Sequence, residues 1–191
     1  MKKIIKEIYN EVEKRCKADT NAYGIGAWNH HIKTVYEIAT NICEEYNANY
    51  EIVALAALLH DIASVTNKEL TEEHHIHGAK IAEELLTKYQ LEKAKIELIK
   101  KCILNHRGSR LVKKTTPEEI CIADADAMAH FYNVPSLLSM VYVEKGLSID
   151  EGSKFVYDKL QRSYNKLSPK GKEIINPYYE AAKILLRQNT R

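Results

Sequence analysis

His60 and Asp61 stand side by side near the end of the run 53–63, VALAALLHDIA, whose other residues are apolar. Such a run is most of a buried helix. An unpaired buried polar group costs roughly 2–7 kcal/mol and a buried charge more, so the imidazole and the carboxylate need compensation. A metal ion supplies it directly. Upstream, Trp28-Asn29-His30-His31 opens an amphipathic segment in which His31, Val35, Ile38 and Ile42 fall at helical spacing, placing His31 on the stripe that faces the core. Downstream, Asp124 and Asp126 interrupt the apolar stretch ICIADADAMAH, and two carboxylates there also call for a cation. Imidazoles and carboxylates together form a mixed nitrogen and oxygen donor set suited to Mn²⁺, Fe²⁺, Co²⁺, Ni²⁺ or Zn²⁺. An ion of this kind lowers the pKa of a bound water and polarises a phosphoryl oxygen, so hydrolysis of a phosphate ester is the reaction such a set suggests.

The elements that must position these groups read as helices. The 191 residues include 7 Gly and 4 Pro, are 45% hydrophobic and 28% charged, and are rich in helix formers, which predicts an all-α, single-domain bundle. Ile4, Ile5, Ile8, Val12 and Cys16 mark a first amphipathic helix over 3–17, and residues 23–26 a turn. An Asn-rich link at 47–49 precedes the run that carries His60. Residues 64–68 read as a polar loop, and Thr71, with Glu72 and Glu73 in its first turn, as the start of a helix bearing His74, His75 and His77. A helix over about 92–105 turns Ile96, Ile99 and Ile103 inward and ends at Asn105-His106. Thr116-Pro117-Glu118-Glu119 combines a cap, a first-turn proline and a glutamate reaching back, which places Asp124 and Asp126 well inside a helix. Three more helices are expected near 135–145, 149–167 and 169–188, the second capped by Ser148 with Glu151, the last bent or broken at Pro177.

Charge and cysteine usage exclude several function classes. A net charge of +2, from 28 basic and 26 acidic residues, does not call for nucleic acid as the main partner. The basic run Arg107, Arg110, Lys113 and Lys114 has no interleaved aromatic platform for bases, but it lies where a substrate phosphate needs counter-charge, making Arg107 and Arg110 the candidates for that contact. No stretch approaches the ~20 apolar residues of a membrane span, and the N-terminus lacks the unbroken apolar run of a signal peptide. Cys16, Cys43, Cys102 and Cys121 show no metal spacing and read as buried thiols of a cytoplasmic protein.

The order His31, then His60-Asp61, then an Ala-Asp pair near residue 125 resembles the HD-domain superfamily of metal-dependent phosphohydrolases, over about residues 23–132. The resemblance implies a domain over 1–191 with that core and with helices over 135–188 packing on it. It implies metal at His31, His60, Asp61 and Asp126, since Ala125-Asp126-Ala127-Met128 matches the frame of the last aspartate best; Asp124 is then a supporting neighbour or the alternative ligand. His30 is a surface or supporting group. Some members carry two further histidines that hold a second ion or touch the phosphate, and His74, with Gly78-Ala79 following, and His106 resemble these; His75 and His77 are expected in solvent. Residues 62–65 lack the acidic pair of the branch that acts on guanosine alarmones, and Asn105-His106-Arg107-Gly108 resembles the small stand-alone hydrolases instead. The implied function is phosphohydrolysis of a small phosphorylated substrate, a nucleotide being the expected class, with one or two divalent transition-metal ions. A non-catalytic nucleotide- or metal-binding regulatory module on the same fold is the alternative. The oligomeric state is not decided by the sequence.

Overall fold

The structure is a computed structural model that describes residues 2–107 and 113–186. Arg110, one of the two arginines expected at a substrate phosphate, lies outside the described residues. Every regular element among the described residues is helical, as an all-α chain requires. The chain divides into two compact units, one up to Ala125 and one from Asp126 onward, with the border inside a single continuous helix.

In the first unit, α1 spans Lys2–Cys16 and buries Ile5, Ile8, Val12 and Cys16, the face expected from its spacing. After the turn at Gly24, whose φ of 62° suits a residue without a Cβ, the chain enters a widened π-turn at Trp28–Ile32 and continues as α2, Lys33–Ile42. α3, Tyr50–Leu59, is capped by Asn49, whose side chain accepts from the amides of Glu51 and Ile52. Every residue of α3 from Glu51 to Leu59 is buried, because α1, α2 and α6 (Lys93–Asn105) all pack on it. A surface helix buries one stripe; this one is the axis of the unit.

Two expectations fail just downstream. Residues 64–68 are not a polar loop: α4, Ile62–Thr66, resumes helix after a break at His60-Asp61, with Ser64 and Val65 buried. Tertiary packing overrides the local signal here. The Ala22 amide donates to the Ser64 carbonyl, and the Thr66 hydroxyl donates back to the Ile62 carbonyl while accepting from Arg15. α5 starts at His74, not at Thr71, and runs to Lys88; Thr71 instead closes a turn by donating its hydroxyl to the Lys68 carbonyl. α5 packs along α6 and against α4. α7, Pro117–Tyr132, starts where its capping signals predict: Thr116 and Glu119 exchange side chain-to-backbone hydrogen bonds, the capping box of a helix N-terminus.

The second unit holds the end of α7, then α8 (Val134–Ser139), a π-turn at Met140–Glu144, α9 (Ile149–Lys166) and α10 (Pro169–Leu186). Ser148 and Glu151 form the expected capping box of α9. α10 is not broken at Pro177; it runs uninterrupted through it. α9 and α10 pack together around Val156, Leu160 and Ile175, with the Tyr164 and Tyr179 rings stacked.

Candidate metal centre

The break between α3 and α4 creates the site. His60 is the C-cap of α3, and Asp61, with φ −108° and ψ 16°, departs from helical geometry, so adjacent side chains converge on one place that a continuous helix would keep about 100° apart. Around the Asp61 carboxylate stand four imidazoles, all through Nε2. Asp61 Oδ2 lies 3.4 Å from His31 and 3.4 Å from His60; Oδ1 lies 3.3 Å from His74 and 3.7 Å from His106. The rings also meet in pairs, His31 and His60 with their Nε2 atoms 3.2 Å apart, His74 and His106 with theirs 3.3 Å apart. Asp61, His74 and His106 each bring one potential ligand atom within 4.8 Å of the others.

Each ring is set by the backbone just before it. His60 Nδ1 donates to the Ala57 carbonyl at 2.7 Å, His74 Nδ1 to Thr71 at 2.8 Å and His106 Nδ1 to Ile103 at 2.6 Å, three residues back in every case. A carbonyl only accepts, so Nδ1 carries the proton, and in a neutral ring Nε2 presents its lone pair. His31 reaches the cluster from the π-turn, a widened helical turn often found at functional sites. His74 comes close because α5 packs tightly there: a Cβ on Gly78 would stand 3.3 Å from the Ile103 side chain and 3.7 Å from the His60 carbonyl.

This donor set fits a cation. The His74 and His106 lone pairs face each other and a carboxylate oxygen, an arrangement that repels unless positive charge lies between them. Donors at 2.0–2.2 Å from a tetrahedral ion stand about 3.3–3.6 Å apart, close to these distances. α3 and α6 both end at the cluster, so the negative ends of two helix dipoles point into it. With protons standing in these contacts for an ion, burial pushes the Asp61 carboxyl up, but the attraction of His60 and hydrogen bonds from His106, His31 and His60 outweigh it and hold the group well below the usual carboxylate range. Burial holds His74 below its ordinary value, against the attraction of Asp61, which favours the neutral form a metal needs.

The other sequence candidates separate clearly. His30 is exposed. Asp124 is buried and accepts from the Tyr46 hydroxyl at 2.8 Å. Asp126 follows two residues later on α7, roughly 160° round the helix from it, and is half-buried. Arg107 is exposed and donates through Nη1 to the Glu72 carbonyl. His75, expected in solvent, is half-buried, with its Nδ1 enclosed and its ring edge-on to His74. Three residues that spacing did not flag lie in or near the field of Asp61. Cys16 is pushed up to about 12 by burial and then by Asp61; the Tyr23 hydroxyl is raised by the same two causes; and Ser64, one turn into α4, keeps a buried hydroxyl. Only their proximity in the fold reveals them.

Comparison with known proteins bears on the family and the fold. A family model described as the HD domain matches residues 29–130. An uncharacterized protein of Clostridium beijerinckii is 33% identical over 86 residues, which is 42% of this chain and 55% of that one, so the chain spans about half the length of the curated relative it matches. Among solved structures, Bacillus subtilis YpgQ superposes with a TM-score of 0.73 at 21% identity, covering 97% of this chain and 93% of that one. The same protein in complex with ADP gives 0.69 at 19%, over 96% and 94%. A predicted HD superfamily hydrolase from an uncultured Thermotogales bacterium gives 0.58 at 22%, over 92% and 91%. At these identities the likeness establishes the fold.

Proposed function

Because the chain belongs to the HD-domain family, whose members are in general metal-dependent hydrolases, we propose that it hydrolyses a phosphate ester or anhydride of a small phosphorylated substrate, with a nucleotide as the substrate class. The observation that carries this reading is the Asp61 carboxylate standing between two pairs of imidazole Nε2 atoms. His31, His60 and Asp61, with Asp126 as the proposed fourth donor, hold one divalent ion. Asp124, which accepts from the Tyr46 hydroxyl, is taken as a supporting group. His74 and His106 with the second Asp61 oxygen hold another ion or the substrate phosphate. A bound ion of this class supplies a water of lowered pKa and a polarised phosphoryl oxygen. The chain's own residues do the rest. The Nδ1–carbonyl bonds fix the rings, the buried walls limit water, and Arg107, and Arg110 beyond the described residues, would set positive charge against the phosphate.

The ADP held by the Bacillus subtilis protein supports a nucleotide as the first ligand to try here. Four free, buried thiols fit a reducing cytoplasm, and no helix among the described residues is long and apolar enough to cross a membrane. The test is elemental analysis of the full chain purified without chelator or affinity nickel, beside His60→Ala, followed by phosphate release from a nucleotide panel. About one or two transition-metal ions per chain in the wild type, none or fewer in the variant, and metal-dependent phosphate release support the reading. No metal in either protein, even after reconstitution with Mn²⁺, Fe²⁺, Co²⁺, Ni²⁺ and Zn²⁺, overturns it; metal with nucleotide binding but no phosphate release leaves the regulatory module.

A further inference from the structure

Glu119 has more partners than a capping glutamate needs. Its side chain is fully buried, and its two oxygens are divided between two tasks. Oε2 accepts from the amides and hydroxyls of Thr115 and Thr116, at 3.0–3.2 Å, and pairs with Lys101 at 3.3 Å; this is the capping of α7. Oε1 accepts from the Asn105 side-chain amide at 2.6 Å. Capping explains the first oxygen and leaves the second without a role. Asn105 is the last residue of α6 and the immediate neighbour of His106, which sits at the helix end where the backbone has no further turn to hold it. The preceding residue of α7 does the same for the other ligand helix: Glu118 Oε1 accepts from the Asn49 amide at the start of α3, whose far end carries His60.

We propose that Glu119, acting through Asn105, is a positioning residue for His106, fixing the last turn of α6 so that His106 Nε2 is held on Asp61 Oδ1. The inference rests on the reading of His74 and His106 as a second cation or phosphate site. α7 thereby has two separable functions in its first turn. One oxygen of Glu119 starts the helix; the other aligns a ligand. A buried carboxylate bridging two chain segments is costly to keep unless its hydrogen bonds are made, and each of its partners here has a proton to donate.

Two variants separate alignment from capping. Asn105→Ala removes the Oε1 partner and leaves the Thr116–Glu119 box intact; Thr116→Ala removes the capping hydroxyl and leaves the Asn105–Glu119 bond. In long-range ¹H–¹⁵N spectra of the metal-free full chain, His106 in the wild type and in Thr116→Ala shows the proton fixed on Nδ1, and Asn105→Ala brings it into tautomer exchange. Titrated with Mn²⁺, Asn105→Ala weakens the second binding step by about 10–100-fold, the usual loss when a group supporting a ligand is removed, and leaves the first step unchanged. A fixed His106 tautomer in Asn105→Ala, an exchanging one in the wild type, or an equal effect in Thr116→Ala overturns the proposal. Because the spectra need no metal, a wild type that takes up none of Mn²⁺, Fe²⁺, Co²⁺, Ni²⁺ and Zn²⁺ defeats the phosphohydrolase reading while the positioning role is still decided.

Discussion

His31 and His60 face one oxygen of Asp61, His74 and His106 the other, at nearly matching distances; the two pairs differ in what holds them. His60 is fully buried at the end of α3, a helix enclosed from its first turn to its last, and His31 is presented by the π-turn before α2. The second pair stands on ends, the first residue of α5 and the C-cap of α6, helices that bury only one face. Within the second pair the dipoles also differ: α6, like α3, brings its negative end to the cluster, α5 its positive end. A symmetric set of donors need not be a symmetric site. The first half inherits the rigidity of the core, whereas the second is carried by helices that bury one face only.

This contrast disappears most completely in Asp61→Ala, which takes away the carboxylate both pairs share. Metal content is expected to fall from about two ions per chain to near zero by elemental analysis, with loss of phosphate release; retained metal would show that the pairs act without it. Single histidine variants address one half at a time. His60→Ala is expected to abolish the tighter Mn²⁺ step, and His106→Ala only the weaker one, leaving about one ion per chain in calorimetric titration. Equal losses would mean that the halves are equivalent. pH separates them further. His74 lies below its ordinary value of 6.5, so its Nε2 stays available as pH falls below that value, and Mn²⁺ binding to the second half should persist to lower pH than for an ordinary imidazole.

Smaller effects probe the supports. Burial pushes the Glu119 carboxyl up, but Asn105, Thr115, Thr116 and Lys101 hold it at about 2, against an ordinary 4.5. Its folded-state pKa is depressed, so its contribution to stability is full above about 4.5 and is lost as pH falls towards 2; Glu119→Gln should flatten that acid limb in denaturation curves. An unchanged limb would remove Glu119 from the account of acid unfolding. Least of all, Tyr46→Phe should cost about 1 kcal/mol in urea unfolding and leave metal content intact, as expected if Asp124 is a supporting group. Loss of metal in that variant would return Asp124 to the ligand set.

Much of this was legible in the residues. The run that became α3, the capping pairs at Thr116–Glu119 and Ser148–Glu151 and the buried faces of α1 and α6 are local patterns, and the structure follows them. What was not legible depends on distant partners. Ser64 and Thr66 look like loop residues until Ala22 and Arg15 meet them across the fold. The start of α5 slipped by three residues because Thr71 spends its hydroxyl on the Lys68 carbonyl. Spacing brought His31 and His60-Asp61 forward, but periodicity alone could not choose among His74, His75 and His77, which differ in the structure by which ring reaches Asp61. Nor could it show Asn105, whose partner lies on another helix.

The bonds that His60, His74 and His106 make to carbonyls three residues behind them have a consequence for assembly. Each ring is oriented by a short loop of backbone, closed by the last turn of the helix for His60 and His106 and by the turn before α5 for His74. Part of each ligand's direction is thus set by its own stretch of chain, and bonds such as Asn105–Glu119 add to it. The apo-protein then loses little side-chain entropy when an ion arrives, because the rotamers are already chosen. The lock is also portable: a histidine three residues after the carbonyl it bonds is a short, local part, suited to grafting onto another helical scaffold.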